Sequence, residues 1–328
     1  MLSQGELSSL RIRNFIFHVV HHGEEKPILF DETPLGPFEP FFLDRARETL
    51  RGNRFEFVDG SRTLELLRKV MQTPKQFVPI SKELAIDFHS RQDKRIKPGV
   101  LILMRLAAGS KILFLLIKYD HERVLTYRVQ TRRALLSAVQ NSFTESPNAL
   151  HKSALIELAR TGGELTVIDR TVRKDITDFF RGFLNVRRKY ENKQMTAEVG
   201  KAVYETIKAH QDTLPANLIQ NWRPNLTELA RKKPEFDSDG FVDRFFGANA
   251  SEELKATFRE ELKKRDLEGE VFDFDAAGLQ STGPARYRTI EGVGLQVSPE
   301  ARDYVHISKA DDGFTIITIR TKSLIEQP

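Results

Sequence analysis

The residue types that could do chemistry here are histidines and carboxylates near the start of the chain and clustered cations farther along. His18, His21 and His22, with Asp31-Glu32 close behind, are the raw material of a metal-dependent hydrolase. Their spacing matches no ligand pattern of defined geometry, so they are expected to be solvated turn residues. Asp120, His121 and Glu122 could join a two-metal phosphodiester-hydrolysing cluster, which needs carboxylates converging from adjacent strands. They stand together in a hairpin turn instead, with no E-x-K strand after them. Asp273-Phe274-Asp275 and Asp311-Asp312 lack the D-x-D-x-D-G loop and downstream Glu of a calcium site. No G-x-x-x-x-G-K-[ST] loop, G-x-S-x-G elbow or H-E-x-x-H helix occurs. Gly292-Val293-Gly294 lies between two strand-like runs rather than opening a helix, which marks a turn. With no cysteine there is no disulfide framework, thiolate metal site or cysteine nucleophile. No catalytic, metal or cofactor site is expected.

The cations need no strict geometry to be useful, because Lys and Arg meet nucleic-acid phosphates wherever they cluster, and each neutralised phosphate releases counterions. From Arg170 to Lys208 there are ten Lys/Arg against five Asp/Glu, a surplus of +5 that equals the formal charge of the whole chain. Arg187-Arg188-Lys189, with Arg181 and Lys193 nearby, is the densest cluster, set at the entry to a helical half, where a solvated helix end is the bland reading. Arg91, Lys94, Arg95 and Lys97 form a second group at the end of an expected helix, where cations also complement the helix dipole. Arg128, Arg132 and Arg133, and Arg231-Lys232-Lys233, are better explained by structure alone. Phe179, Phe180 and Phe183 could stack on bases, but their helical spacing points to a core.

These clusters need elements to carry them. The 328 residues suit two domains, here expected at 1–169 and 170–328. Leu10–Val20 reads as a strand that pairs with Ile28–Phe30 across a turn at Gly23. Helices are expected from Pro40 to Leu50, from Ser61 to Met71, and after Ser81 to about Lys94. Val100–Ala107, Lys111–Tyr119 and Val124–Val129 are separated by short turns and so predict an antiparallel meander, with Ser153–Arg160 and Glu164–Asp169 extending it. Near Asp169 the texture turns helical. Met195, Val199, Val203 and Ile207 make one amphipathic face, Asn225 with Glu228 reads as a helix start, and Ser251 caps a helix to Lys264. Strands return at Tyr287–Ile290, Val293–Val297, Val305–Ser308 and Phe314–Ile319. The fold class is α+β: an N-terminal antiparallel sheet with packed helices, a helical region, and a small C-terminal antiparallel sheet.

The segment Asp178-Phe179-Phe180-Arg181-Gly182-Phe183-Leu184 resembles the D-F-F-x-x-F-L signature of the NdpA/YejK nucleoid-associated proteins. The order after it is similar as well: the helix Gln194–Ile207, then Asn225-Leu226-Thr227-Glu228-Leu229-Ala230, an acidic helical stretch ending in Val271-Phe272-Asp273, and strands at Gly294–Val297 and Asp312–Ile319. The likeness covers about 160 residues from Asp169 onward and, more loosely, Ile12–Val20 and Leu115–Asp120. It implies a cytoplasmic, nucleoid-localised binder of double-stranded DNA with no cofactor, and it supplies no catalytic motif to transfer.

Joined to the basic clusters, the resemblance predicts a non-enzymatic, largely sequence-nonspecific DNA-binding protein that contacts phosphates through Arg181, Arg187, Arg188, Lys189, Lys193, Arg91, Lys94, Arg95 and Lys97. A homodimer is expected, since doubling a modest patch raises avidity. The longest wholly apolar run, Ile112–Ile117, is far below the ~18 residues of a membrane span, and with no charged and then apolar stretch in Met1–Glu6 a secretory signal is not expected. Two alternatives stand beside this reading. One is a metal-dependent nuclease or DNA-targeting effector of phage defence using Asp31, Asp120 or Glu122. The other is an interaction subunit whose basic surface meets an acidic protein partner.

Overall fold

The computed structural model describes residues 2–91, 96–120, 122–130, 133–142, 150–279, 285–298, 301, 304–310 and 313–321, with backbone alone for 122–130, 133–142 and 150–151. Two compact units emerge. The first is 1–191 with 237–239 and 268–272, and the second is the remainder.

The first unit is built on an eight-stranded antiparallel sheet. Its strands are β1 (Arg11–Val20), β2 (Ile28–Leu29), β3 (Asn53–Phe57), β4 (Gly99–Ala108), β5 (Lys111–Asp120), β8 (Leu150–Leu158), β9 (Gly163–Asp169) and β10 (Val186–Arg188), in the order β10-β3-β9-β8-β5-β4-β1-β2. Among the described residues, β6 (Glu122–Gln130) and β7 (Arg133–Ser142) pair only with each other. Helices α1 (Gln4–Ser8), α2 (Glu39–Thr49), α3 (Arg62–Gln72), α4 (Phe77–Ser90) and α5 (Asp178–Leu184) complete it. One sheet face packs Ile16, Leu101, Phe114, Leu116, Ile156 and Val167 against α3, α4 and α5. The other packs Phe15, Ile102, Met104, Leu115 and Ile117 against Phe42 and Ala46 of α2. Covered on both sides, β4 and β5 are buried almost end to end, so their apolar runs do not alternate.

That double cover explains one correction to the meander expected from sequence. β5 is followed in the sheet by β8, with Leu115 opposite Leu155, and the segment around Val124–Val129 forms a separate hairpin. Its sequence is interrupted by Thr126 and Arg128, unlike the continuous apolar runs of β4 and β5 that are covered on both faces. The third helix also begins earlier than Ser81, at Phe77. Ser81 lies inside it, buried, and its hydroxyl donates to the Val78 carbonyl (2.7 Å).

At one end of the α3–α5 face the apolar core gives way to buried charges. Lys118 stands opposite Lys152, and Lys152 opposite Asp169, on successive strands. Lys118 bonds Asp120 (2.8 Å) and Lys152 bonds Asp169 (2.6 Å). Asp169 also accepts from the backbone N–H groups of Thr171 (3.0 Å) and Thr177 (2.9 Å) and from the Thr177 hydroxyl (2.8 Å). Burial alone would raise its carboxyl, but the Lys152 ammonium and the Thr177 donors overcome this and hold it below the ordinary range. These bonds pin the turn that leads from β9 into α5. Lys118 also leans over Gly99, where a Cβ would collide with the Tyr119 carbonyl oxygen and Lys118 Nζ. Gly99→Ala is therefore expected to lose about 1–3 kcal/mol to overpacking, read as a lower urea midpoint at unchanged slope.

The second unit holds α6 (Asn192–Ala209), α7 (Ala216–Lys232), α8 (Phe241–Phe246), α9 (Glu252–Lys264) and α10 (Ala276–Leu279). The short strands β11 (Glu235–Asp237) and β12 (Val271–Asp273), which pair with each other, are each divided between the two units. The hairpins β13 (Ala285–Arg288) with β14 (Gly294–Val297), and β15 (Val305–Lys309) with β16 (Thr315–Ile319), follow. α6 buries Met195, Val199, Ala202, Val203 and Ile207, the stripe its periodicity predicts. Ser251 caps α9 by accepting from the Leu254 N–H (3.2 Å). A second correction concerns α7: it starts at Ala216, so Asn225 is interior rather than a cap. The break that resembles a start is a kink at Asn221 (φ −109°, ψ 16°), just before Pro224, whose ring removes one helical donor. Among the described residues no helix is long and apolar enough to cross a membrane. The molecule is a mixed α+β protein of the class expected.

Candidate nucleic-acid interface

The densest cation cluster lies on a strand and not on a helix end. Arg187 and Arg188 lie on β10, a short edge strand paired with β3, with Arg187 opposite Glu56 and Arg188 opposite Phe55. A strand sends successive side chains to opposite faces, so the triplet is divided. Arg187 donates to Glu56 (2.7 Å) and Lys189 to Glu164 (2.8 Å), two carboxylates that are themselves cross-strand neighbours. Arg188 turns to the other face, over the Phe55 ring at 5.4 Å, and bonds the buried Glu270 (2.8 Å). Arg181, from α5, reaches the same ring at 5.9 Å and pairs with Asp175. Arg181 and Arg188 are thus brought together, while Arg187 and Lys189 are separated from them by the sheet.

Arg91 follows α4 and pairs with Asp87 (3.1 Å), its guanidinium 5.9 Å from the Phe183 ring. Gly182 leaves it room, since a Cβ there would lie 3.2 Å from Arg91 Nη1. Phe180 and Phe183 are fully buried in the core and Phe179 packs against it, as their helical spacing suggests. Lys97 and Lys193 are exposed and have no ion pair among the described residues. Lys193 opens α6 in the second unit. Lys94 and Arg95 lie outside the described residues.

Exposure ranks these side chains for contact with a polyanion. Arg187 is 72% exposed, against 32% for Arg91, 31% for Arg181, 18% for Lys189 and 17% for Arg188. Arg188 is moreover tied to Glu270, which also accepts from the Arg54 N–H (2.7 Å). Burial pushes the Glu270 carboxyl up, opposed by the charges of Arg188 and Arg54, so Arg188 has a structural task whatever else it does.

Sequence reasoning passed over Arg51 and took Arg170 and Arg173 only into the charge count of their segment. Arg51, Arg170 and Arg173 line one cleft of about 350 Å³ in the first unit, together with Asp237 and Asp239. Arg51 grips both oxygens of Asp239 (2.5 and 2.6 Å), Arg173 bonds Asp237 (2.8 Å), and Arg170 pairs with Glu48. Nothing local in the sequence announces this convergence, because the partners lie more than sixty positions apart. Each of these guanidinium groups is matched by a carboxylate, so the cleft is polar without a clear surplus of either sign.

The histidines and carboxylates weighed for metal chemistry are engaged otherwise. His18 is buried, with Nδ1 accepting from the Phe30 N–H (3.1 Å) and Nε2 bonded to Ser81 Oγ (3.1 Å). His21 donates its backbone N–H to His89 Nδ1 (2.9 Å) and stacks on that ring. Asp31 bonds Lys82 (2.7 Å), far from being a shared ligand, and Asp120 bonds Lys118. Among the described residues no group of three or more His, Asp or Glu is arranged to hold a metal ion. His18 and His21 are not the solvated turn groups expected: His18 is buried and His21 is half-buried, while Asp120 ends β5 as a buried residue.

No curated protein matches the chain. The family model NA37, nucleoid-associated protein YejK, matches residues 16–322, nearly its whole length. The likeness first carried by the α5 signature and the order of elements after it thus extends through both units, and the chain belongs to the nucleoid-associated protein YejK family.

Proposed function

We propose that this protein is a non-enzymatic, cytoplasmic component of the nucleoid that binds double-stranded DNA as a homodimer, largely without sequence preference, through phosphate contacts. The observation that carries this reading is the family match over residues 16–322. The exposed cations support it and rank the contacts. Arg187, Lys97 and Lys193 lead, Arg91, Arg181 and Lys189 follow, and Arg188 contributes through its position beside Arg181. Lys94 and Arg95 complete the set through the sequence alone. Phosphate contact carries no base information, so affinity should depend on salt far more than on sequence.

A salt-titrated gel shift on unrelated duplexes tests this. Arg187→Glu, Lys97→Glu and Lys193→Glu are expected to weaken binding to every duplex alike, and each lost phosphate contact should lower the salt slope by about one. Arg188 is left intact in that series, because its loss would confound binding with unfolding. Unchanged affinity in all three variants would remove these side chains from the interface. Negligible affinity of the unaltered protein at physiological salt would instead favour an acidic protein partner. Plasmid incubated with the protein and Mg²⁺ or Mn²⁺ should stay uncut, and cleavage would replace the binder with a nuclease.

A further inference from the structure

β16 reads Thr315-Ile316-Ile317-Thr318-Ile319, with no charge and no proline. It pairs on one side with β15, Val305 opposite Ile319 and Lys309 opposite Thr315. Among the described residues no strand pairs with its other side. Two bonds fix which backbone groups face which way: the Arg320 N–H donates to the Tyr304 carbonyl (2.9 Å), and the Ala310 N–H donates to the Phe314 carbonyl (2.8 Å). In an antiparallel pair such residues alternate. Even-numbered positions therefore address β15, and the N–H and C=O groups of Thr315, Ile317 and Ile319 point outward. Natural sheets protect such edges with charges, prolines or bulges; this strand has neither of the first two. A two-stranded sheet of this length is also marginal by itself, and Ile316, Ile319 and Ile307 are 51%, 53% and 39% exposed.

We propose that the outer edge of β16 is the homodimer interface, where the strand pairs antiparallel with the same strand of a second copy about a two-fold axis at Ile317. This rests on the homodimer reading above and gives it a location. An isologous contact requires a self-complementary surface, and β16 is one. With the axis at Ile317, that residue faces its own copy, Thr315 faces Ile319 and Ile316 faces Thr318. Of the registers that set outward groups against outward groups, this is the one that engages all three outward residues on both strands. Arg320 comes opposite Phe314 and not opposite another cation, so no like charges meet along the seam. The result is a continuous four-stranded sheet, β15-β16-β16-β15, with the aliphatic side chains of Val305, Ile307, Ile317 and Ile319 on one face.

Sedimentation of the full chain without DNA, across a concentration series, tests the proposal. The unaltered protein is expected to be a dimer. Ile317→Lys and Ile317→Glu each put like charges at the axis and should weaken self-association about tenfold or more. An equimolar mixture of the two variants should recover the dimer, which damage to the monomer fold would not produce. A dimer that persists undiminished in both single variants overturns the β16 interface and leaves the homodimer standing. A monomer for the unaltered protein at micromolar concentration overturns both.

Discussion

Arg188→Ala is expected to destabilise the protein by about 3 kcal/mol or more, the cost of stranding a buried charge. Glu270 is fully buried, and its carboxylate is held by the Arg188 guanidinium at 2.8 Å and the Arg54 N–H at 2.7 Å. Removing the guanidinium leaves the Arg54 N–H and the Arg54 charge but takes away the larger countercharge. Because burial already pushes this carboxyl up, the variant's least costly response is to protonate Glu270. The folded variant then binds a proton that the unfolded chain releases near neutral pH, so its stability should rise as pH falls towards the ordinary carboxylate range. The deficit is thus largest near pH 7 and shrinks in acid. Glu270→Gln in the Arg188→Ala background removes the stranded charge and should recover most of the loss. Urea titrations of the four proteins of this cycle at two pH values read the coupling directly. Equal stability of Arg188→Ala and the unaltered protein at pH 7 would show that the pair does not hold the edge of the sheet.

The same pair shows why the site was less legible than the fold. Elements that depend on neighbours in sequence were readable. The Ser61 and Ser251 caps, the α6 stripe, the hairpin from β1 to β2 and the C-terminal strands follow from spacing and turn chemistry. Elements that depend on distant partners were not. Nothing near residues 124–129 states that β8, some twenty-five residues later, takes the place beside β5. Likewise, Pro224 beside Asn225 reads as a boundary when it marks a kink.

Charge counting fails for a related reason. The +5 surplus of Arg170–Lys208 assumes that sequence neighbours set the local field. In the folded chain Arg170, Arg173, Arg187, Arg188 and Lys189 are met by Glu48, Asp237, Glu56, Glu270 and Glu164, all from outside that segment. The segment is also divided, with Arg170–Glu191 in the first unit and Asn192–Lys208 in the second. Exposed pairs such as Arg187 with Glu56 contribute little to stability and can be exchanged for a phosphate at small cost. Buried pairs such as Arg188 with Glu270 cannot. The useful distinction among these cations is burial of the partner, which the one-dimensional charge pattern does not contain.

Burial of a partner also decides what His18 does in acid. Its bonds fix its tautomer: the Ser81 hydroxyl spends its proton on the Val78 carbonyl, so Ser81 Oγ must accept from His18 Nε2–H, while Nδ1 accepts from the Phe30 N–H. A second ring proton would have to enter at Nδ1, against that donor. Burial, reinforced by the nearby charge of Lys82, lowers the pKa from 6.5 to about 4. The unfolded chain therefore binds a proton that the folded protein refuses between about pH 6.5 and about pH 4. Stability from this group is complete above the unfolded value and lost as pH falls through that window, about 3 kcal/mol in all. His21, also lowered to about 4 by burial and then by Lys118, adds to the slope in the same sense. His18→Gln retains a donor and an acceptor but cannot titrate. It should cost stability at pH 7.5 and flatten the decline between pH 6.5 and pH 4, measured by urea unfolding at half-unit steps. An acid limb of unchanged steepness in that variant would place the proton uptake elsewhere and leave the buried ring without a part in it.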